Sequence, residues 1–102
     1  MHIHIDAEVE KFILSLDKQT IAKILRTIDL LEKFTFKLGM PHSKKISDDL
    51  FELRVRGKQE IRIFYCFYKS LIHLFSGFIK KSQTIPQKEM LKACNKYKTL
   101  TS

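Results

Sequence analysis

The sequence contains few residues that break regular structure, since its 102 residues include three glycines and two prolines. It has no tryptophan. Hydrophobic residues make up 44% of the chain, which is typical of a folded domain and argues against a disordered tail. No apolar run approaches the ~18 residues that a membrane span needs, and residues 1–6 lack a signal-peptide pattern. We therefore expect one domain over residues 1–102, located in the cytoplasm, with no membrane partner.

Cysteine and acidic residues are scarce where a disulfide or a metal site would need them. The two cysteines, Cys66 and Cys94, lack the spacing of metal ligands, so we expect free, buried thiols. After Leu50 the only carboxylates are Glu52, Glu60 and Glu89, and no two of them have a spacing that suggests a two-metal site. The sequence predicts neither a cofactor nor a bound metal.

Positive charge is concentrated in the second half of the chain. Residues 1–50 carry eight basic and eight acidic side chains, whereas residues 51–102 carry eleven basic and three acidic ones, which accounts for the formal net charge of +8. A basic surface attracts nucleic acid through counterion release and long-range steering. The charge distribution therefore indicates a polyanionic partner.

Hydrophobic periodicity predicts the order of helices and strands. Residues 1–5 suggest a short strand, and residues 6–34 show helical spacing twice, with Asp6 and either Asp17 or Thr20 as N-caps. Residues 35–49 form a polar connection. From Leu50 the apolar residues alternate in three strand-like runs, and a final helix begins near Pro86. The order β-α-α-β-β-β-α predicts an α+β fold in which the helical hairpin packs on a small antiparallel sheet.

The two-residue link Lys69-Ser70 predicts the register of the last two strands. A hairpin centred there places Arg62 opposite Gly77, and a short loop at 57–59 places Arg54 opposite Arg62. One face of the sheet would then carry Arg62, Phe64, His73, Phe75, Ile79 and Lys81. The opposite face would be apolar and available to pack against the helices. It would consist of Ile61, Ile63, Tyr65, Phe67, Ile72, Leu74 and Phe78.

Three stretches resemble a known family: residues 50–54, residues 61–65 and, most specifically, Gly77–Pro86 with the pattern G-F-x-K-K-S-x-x-x-P. Together they resemble the phage-derived HigB-like branch of the RelE/ParE toxin superfamily, over nearly the whole chain. The resemblance implies a RelE-like toxin of a type II toxin–antitoxin module that cleaves mRNA in the ribosomal A site. It also implies a helix-turn-helix antitoxin of the HigA type as partner, in a toxin–antitoxin hetero-oligomer.

The same resemblance marks Arg54, Arg62 and one of Lys80 or Lys81 as catalytic residues. Arginine suits RNA cleavage because its planar guanidinium stays charged and can grip two phosphate oxygens. A lysine beside the arginines is expected to transfer protons, and the predicted strand alternation favours Lys81 over Lys80. Substrate binding, including stacking of a base on Phe78, is expected from Lys45, Arg56, His42, Phe78 and Lys88.

These residues also allow other interpretations. Arg62 can form a salt bridge with Glu52 or Glu60 within the sheet, and Phe78 can belong to the core. A ParE-like inhibitor of DNA gyrase would use the same fold without catalysis, although it has no need of converging cations. A non-catalytic nucleic-acid-binding relative is a third possibility. It arises because Glu52 stands where RelE proteins carry a lysine, and because the region of Pro86 lacks their C-terminal tyrosine.

Overall fold

The computed structural model describes all 102 residues as a five-stranded sheet with three helices and a short 3-10 turn. The elements in chain order are β1 (His2–Ile5), α1 (Ala7–Leu14), α2 (Lys18–Phe34), the 3-10 turn (Thr35–Lys37), β2 (Ser43–Lys45), β3 (Phe51–Val55), β4 (Ile61–Tyr68), β5 (Leu71–Ile79) and α3 (Gln87–Thr101). The strand order is β1-β5-β4-β3-β2. All neighbours are antiparallel except β1, which is parallel to β5. The predicted α+β fold is confirmed, with β2 as an additional strand.

Helices α1 and α2 form the predicted hairpin and cover one face of the sheet. Asp6 and Asp17 occupy the two N-cap positions. At Gly77 a side chain would bring its Cβ within 2.8 Å of the Phe12 ring, so glycine there lets α1 approach β5 closely. The buried core of this layer consists of Val9, Ile13, Ile24, Ile28, Leu31, Leu53, Val55, Ile61, Ile63, Tyr65, Ile72 and Leu74.

Helix α3 covers the other face with a narrow apolar stripe. Ala93 is fully buried, and Met90, Tyr97 and Leu100 pack beside it against the sheet. Leu91 is exposed because the buried positions follow the spacing 90, 93, 97 and 100. The sheet contributes Phe64, Cys66, Phe75 and Phe78 to this second core.

A β-bulge between β4 and β5 alters the predicted register. Cys66 pairs with His73 as a hairpin centred on the turn requires, but the pairing shifts by one residue between Phe64 and Tyr65. Arg62 therefore lies opposite Phe78 and not opposite Gly77. The extra residue lies on β5, and a one-residue shift exchanges the two faces of a strand, so the predicted sides of the β5 residues beyond the bulge are wrong, while those of β4 are as predicted.

The exchange affects the end of β5 and the lysines that follow it. Phe78 packs in the core under α3, whereas Ile79 packs against the helical hairpin. The backbone N–H of Lys80 donates to the carbonyl of Glu60 at 2.8 Å, which continues the strand pairing by one residue. Lys80, and not Lys81, is thus the lysine on the same side of the sheet as Arg62.

Two lysines of helix α3 form ion pairs with carboxylates of the N-terminal segment. Lys96 Nζ lies 2.9 Å from Asp6 Oδ2 and 2.6 Å from Glu8 Oε2, and Lys92 forms an ion pair with Glu8 as well. Lys96 also donates to the carbonyl of Phe75 at 2.8 Å. Hydrogen bonds from Lys92 and then Lys96 lower the pKa of Glu8 from 4.5 to about 2. Burial opposes the charged form of Lys96, but the two carboxylates outweigh it and raise its pKa.

These ion pairs predict a loss of stability in acid. Because the pKa of Glu8 is lower in the folded state, its contribution is present above about pH 4.5 and disappears as the pH falls towards 2. Glu8→Gln should therefore reduce the fall of the melting temperature across this range, measured by circular dichroism. Glu10→Gln, an exposed position on the same helix, is the control. Equal acid dependence in wild type and Glu8→Gln would contradict this assignment.

Candidate functional site

A groove of about 460 Å³ lies between α2, the end of β3 and the turn at Pro41-His42. Four of its side chains are lysine or arginine, a histidine adds a fifth basic group, and Asp29 is its one acidic residue. This cationic groove is lined by Lys23, Arg26, Thr27, Asp29, Leu30, Pro41, His42, Arg54, Val55 and Arg56. A concave surface with mostly one sign of charge concentrates ligands of the opposite sign.

The backbone brings His42 beside Arg54. The N–H of Arg54 donates to the carbonyl of His42 at 2.8 Å, which extends the pairing of β2 with β3. A turn precedes this contact, in which the N–H groups of His42 and Ser43 both donate to the carbonyl of Gly39. The predicted residues His42, Arg54 and Arg56 are therefore brought together at one site.

Sequence reasoning missed the helical side of the groove. Lys23 and Arg26 of α2 line it, yet neither was predicted as a site residue. Their spacing of three residues, which puts both cations on one side of a helix, was the only signal in the sequence. It does not reveal which edge of the sheet that side of the helix approaches.

Neighbouring side chains hold Arg54 in a defined orientation. Its Nε lies 3.5 Å from Glu52 Oε1, and its NH1 donates to Met40 Sδ at 3.4 Å. The side chain is 12% exposed, so only part of the guanidinium is accessible. Glu52 thus orients Arg54, and the accessible part is available to a ligand in the cationic groove.

Arg62, the second arginine predicted as catalytic, is buried on the α3 side of the sheet. Its side chain is 2% exposed, its NH1 lies 3.0 Å from Glu60 Oε2, and its Nε lies 3.7 Å from Glu52 Oε1. It does not line the cationic groove. The geometry therefore supports the salt-bridge interpretation of Arg62, and its predicted catalytic role stays a prediction.

Glu52 and the two arginines form a buried cluster with incomplete hydrogen bonding. Glu52 Oε2 and the Nε atoms of Arg54 and Arg62 are buried without a hydrogen-bond partner. The separations of 3.5 and 3.7 Å are ion-pair distances and do not meet hydrogen-bond geometry. Such a cluster contributes little net stability, but removing one partner leaves an uncompensated buried charge.

The remaining predicted site residues lie outside the groove. Phe78 is buried with its ring 5.7 Å from that of Phe64, so the expected stacking of a base on Phe78 is wrong. Lys45 is exposed on β2, where its Nζ lies 3.9 Å from the carboxylate of Asp48. The three other lysines are also away from the groove, with Lys80 half-buried and Lys81 and Lys88 exposed.

Other candidate chemical groups do not form a second centre. No group of three or more His, Cys, Asp or Glu side chains lies close enough to bind a metal ion, and none of the helices is long and apolar enough to cross a membrane. Both cysteines are free, and burial raises the pKa of the Cys66 thiol to about 11. Cys94 is half-buried, which differs from the predicted buried thiol.

The fold has a helical hairpin on one face of the sheet and a C-terminal helix on the other. A chain of the archaeal RelE–RelB complex from Pyrococcus horikoshii OT3 has the same fold, with a TM-score of 0.51 and 20% identity, over 76% of this chain and 92% of that chain. Residues 11–98 match the family model "Phage derived protein Gp49-like", and the chain belongs to this family. No curated protein matches the chain in sequence. The resemblance to the phage-derived branch of the RelE superfamily is confirmed.

Proposed function

We propose that this protein is the toxin of a type II toxin–antitoxin module and that it cleaves mRNA on the ribosome. The observation that carries the proposal is the cationic groove, where His42, Arg54 and Arg56 meet Lys23 and Arg26 beside a single carboxylate. The RelE fold and the Gp49-like family support it. A polyanion with a reactive phosphate suits this arrangement of charges.

RNA supplies its own nucleophile for the cleavage that we propose. The 2′-oxygen forms a bond to the adjacent phosphorus, the bond from phosphorus to the 5′-oxygen breaks, and a 2′,3′-cyclic phosphate and a 5′-hydroxyl result. One proton leaves the 2′-hydroxyl and one reaches the departing oxygen. The enzyme must move these protons and stabilise the additional negative charge of the transition state.

The groove residues suit these tasks. Arg54, oriented by Glu52, would stabilise the charge on the phosphate without reorganising during the reaction. His42 is the proposed proton-transfer residue, since an imidazole accepts and donates protons near neutral pH. Arg56, Lys23 and Arg26 would bind the flanking phosphates.

The cations outside the groove take other roles in this proposal. Arg62 would act indirectly, through its contact with Glu52. Lys80 remains a candidate for proton transfer, since it lies on the Arg62 side of the sheet. Lys81 and Lys88, both exposed, and Lys45 on β2 are proposed to contact RNA of the message or of the ribosome.

A cytoplasmic protein that cuts mRNA requires an inhibitor. The archaeal chain with the same fold comes from a RelE–RelB complex. We propose a helix-turn-helix antitoxin of the HigA type that covers the cationic groove with acidic side chains in a hetero-oligomer. A stable interface of this kind buries at least ~1,200 Å² in total.

The products of cleavage test the proposed chemistry. Purified protein added to ribosomes programmed with mRNA should yield 5′-hydroxyl and 2′,3′-cyclic or 3′-phosphate ends. A 2′-deoxy nucleotide at the cut position should block cleavage, and a chelator at a concentration that leaves ribosomes intact should not. Fragments with 5′-phosphate and 3′-hydroxyl ends would refute this mechanism. Inhibition of gyrase supercoiling without RNA cleavage would support the ParE-like alternative.

A further inference from the structure

An exposed aromatic ring lies on the chain segment that leads into the cationic groove. Phe36, in the 3-10 turn after α2, is 67% exposed. One face of its ring packs on Phe67 at a centroid distance of 4.2 Å. Phe67 in turn contacts the rings of Phe51 and Tyr65, at 5.3 and 5.7 Å. Phe36 is thus supported from the core on one face and open on the other.

The chain segment that carries this ring is cationic. Residues 33–47 include the four lysines Lys33, Lys37, Lys44 and Lys45 and no acidic residue. Lys45 lies directly opposite Phe51, so its side chain is on the same side of the sheet as the aromatic cluster. Aromatic rings beside lysines are the combination with which proteins hold single-stranded nucleic acid, because rings stack on bases while cations bind phosphates.

A short segment of chain connects the ring with the groove. The four residues from Phe36 to Met40 span at most ~14 Å, and Met40 Sδ accepts a hydrogen bond from Arg54 NH1. Pro41 and His42, which follow directly, line the groove. A single strand of RNA held at Arg54 can therefore extend across Phe36.

We propose that Phe36 is a stacking platform for a base that flanks the cleaved nucleotide, with Lys37 and Lys45 binding the neighbouring phosphates. The inference rests on the proposed function, since it takes RNA as the ligand of the groove. It gives Phe36 the role that the buried Phe78 does not fill. A protein partner would also cover an exposed ring, but the excess of lysine on the segment that carries it, and the cationic groove that the same segment enters, favour RNA.

Binding of a single-stranded RNA that cannot be cleaved tests this proposal. The probes are short 2′-O-methyl oligonucleotides, each with 2-aminopurine at one position. The position at which binding quenches the fluorescence most identifies the stacked base. A strand with an abasic residue at that position is compared with the intact strand. Phe36→Ala should weaken binding of the intact strand by about 5- to 150-fold, the value of one stacked base. Phe36→Trp should retain binding. Leu14→Ala is the matched control, because Leu14 is also 67% exposed and lies on α1.

The abasic strand isolates stacking from charge. Wild type and Phe36→Ala should bind it equally, and both should show the same salt dependence, because no cation has been removed. Equal binding of the intact strand by wild type and Phe36→Ala would overturn the platform, even if Arg54→Ala abolished cleavage. Conversely, a loss specific to the intact strand would support it, even if the wild-type protein proved unable to cleave RNA.

Discussion

Replacing Arg54 by alanine should reduce mRNA cleavage by about 100-fold or more, the cost of removing one transition-state contact of this kind. Arg54 is the only arginine that both lines the cationic groove and is held by a buried carboxylate. The fold should remain intact, because Glu52 keeps Arg62 as its partner at 3.7 Å. Single-turnover cleavage of ribosome-bound mRNA measures the loss, and circular dichroism verifies folding.

Arg54→Lys is the matched control for charge. It keeps the positive charge but removes the planar fork, so it should recover only part of the lost rate. A folded Arg54→Ala protein that cleaves at the wild-type rate would return Arg54 to the role of a strand salt bridge. The groove would then lose its proposed catalytic residue.

Replacing Arg62 by alanine should instead destabilise the fold, by about 3–5 kcal/mol. The substitution leaves a cavity where a 2% exposed side chain was packed, and it removes the partner of Glu60 as well as one partner of Glu52, whereas Arg54→Ala changes a 12% exposed position that lines the groove. Urea denaturation followed by fluorescence or circular dichroism measures the loss in the free energy of unfolding. Many Arg62→Ala molecules would be unfolded in marginal conditions, so low activity of this variant would not establish a catalytic role.

Arg62→Met separates stability from catalysis. An apolar side chain of similar length fills the buried space that Arg62→Ala leaves empty, and Glu52 keeps Arg54 as its partner at 3.5 Å. The variant should remain folded and cleave mRNA within about tenfold of wild type, since Glu52 still holds Arg54. A folded Arg62→Met protein without activity would show that Arg62 takes part in catalysis, as the family resemblance implies.

The regular elements could be predicted from the sequence because their hydrophobic periods are long and clear. Strand β2 was missed since its three residues, Ser43–Lys45, have no apolar alternation and become a strand only by pairing with β3. The bulge between β4 and β5 was also missed, because the turn predicts only the register near it. That single shift exchanged the sides of Phe78 and Ile79.

The candidate site could be predicted only in part. Arg54 and Arg62 look alike in the sequence, as alternate residues of basic strands. They differ because Arg62 pairs with Phe78 of the second core under α3, whereas Arg54 lies near the end of β3 beside the groove, and both effects are tertiary. His42 was identified as a candidate, but its contact with Arg54 depends on the unpredicted strand β2.

We propose that the residues around Arg54 cut translated mRNA. The decisive measurement is primer-extension mapping of mRNA 5′ ends after brief expression of wild type and Arg54→Ala in cells. We expect new ends within coding regions for wild type, none in the same message when its start codon is removed, and none for Arg54→Ala. Growth arrest without new mRNA ends, accompanied by a DNA-damage response, would contradict it.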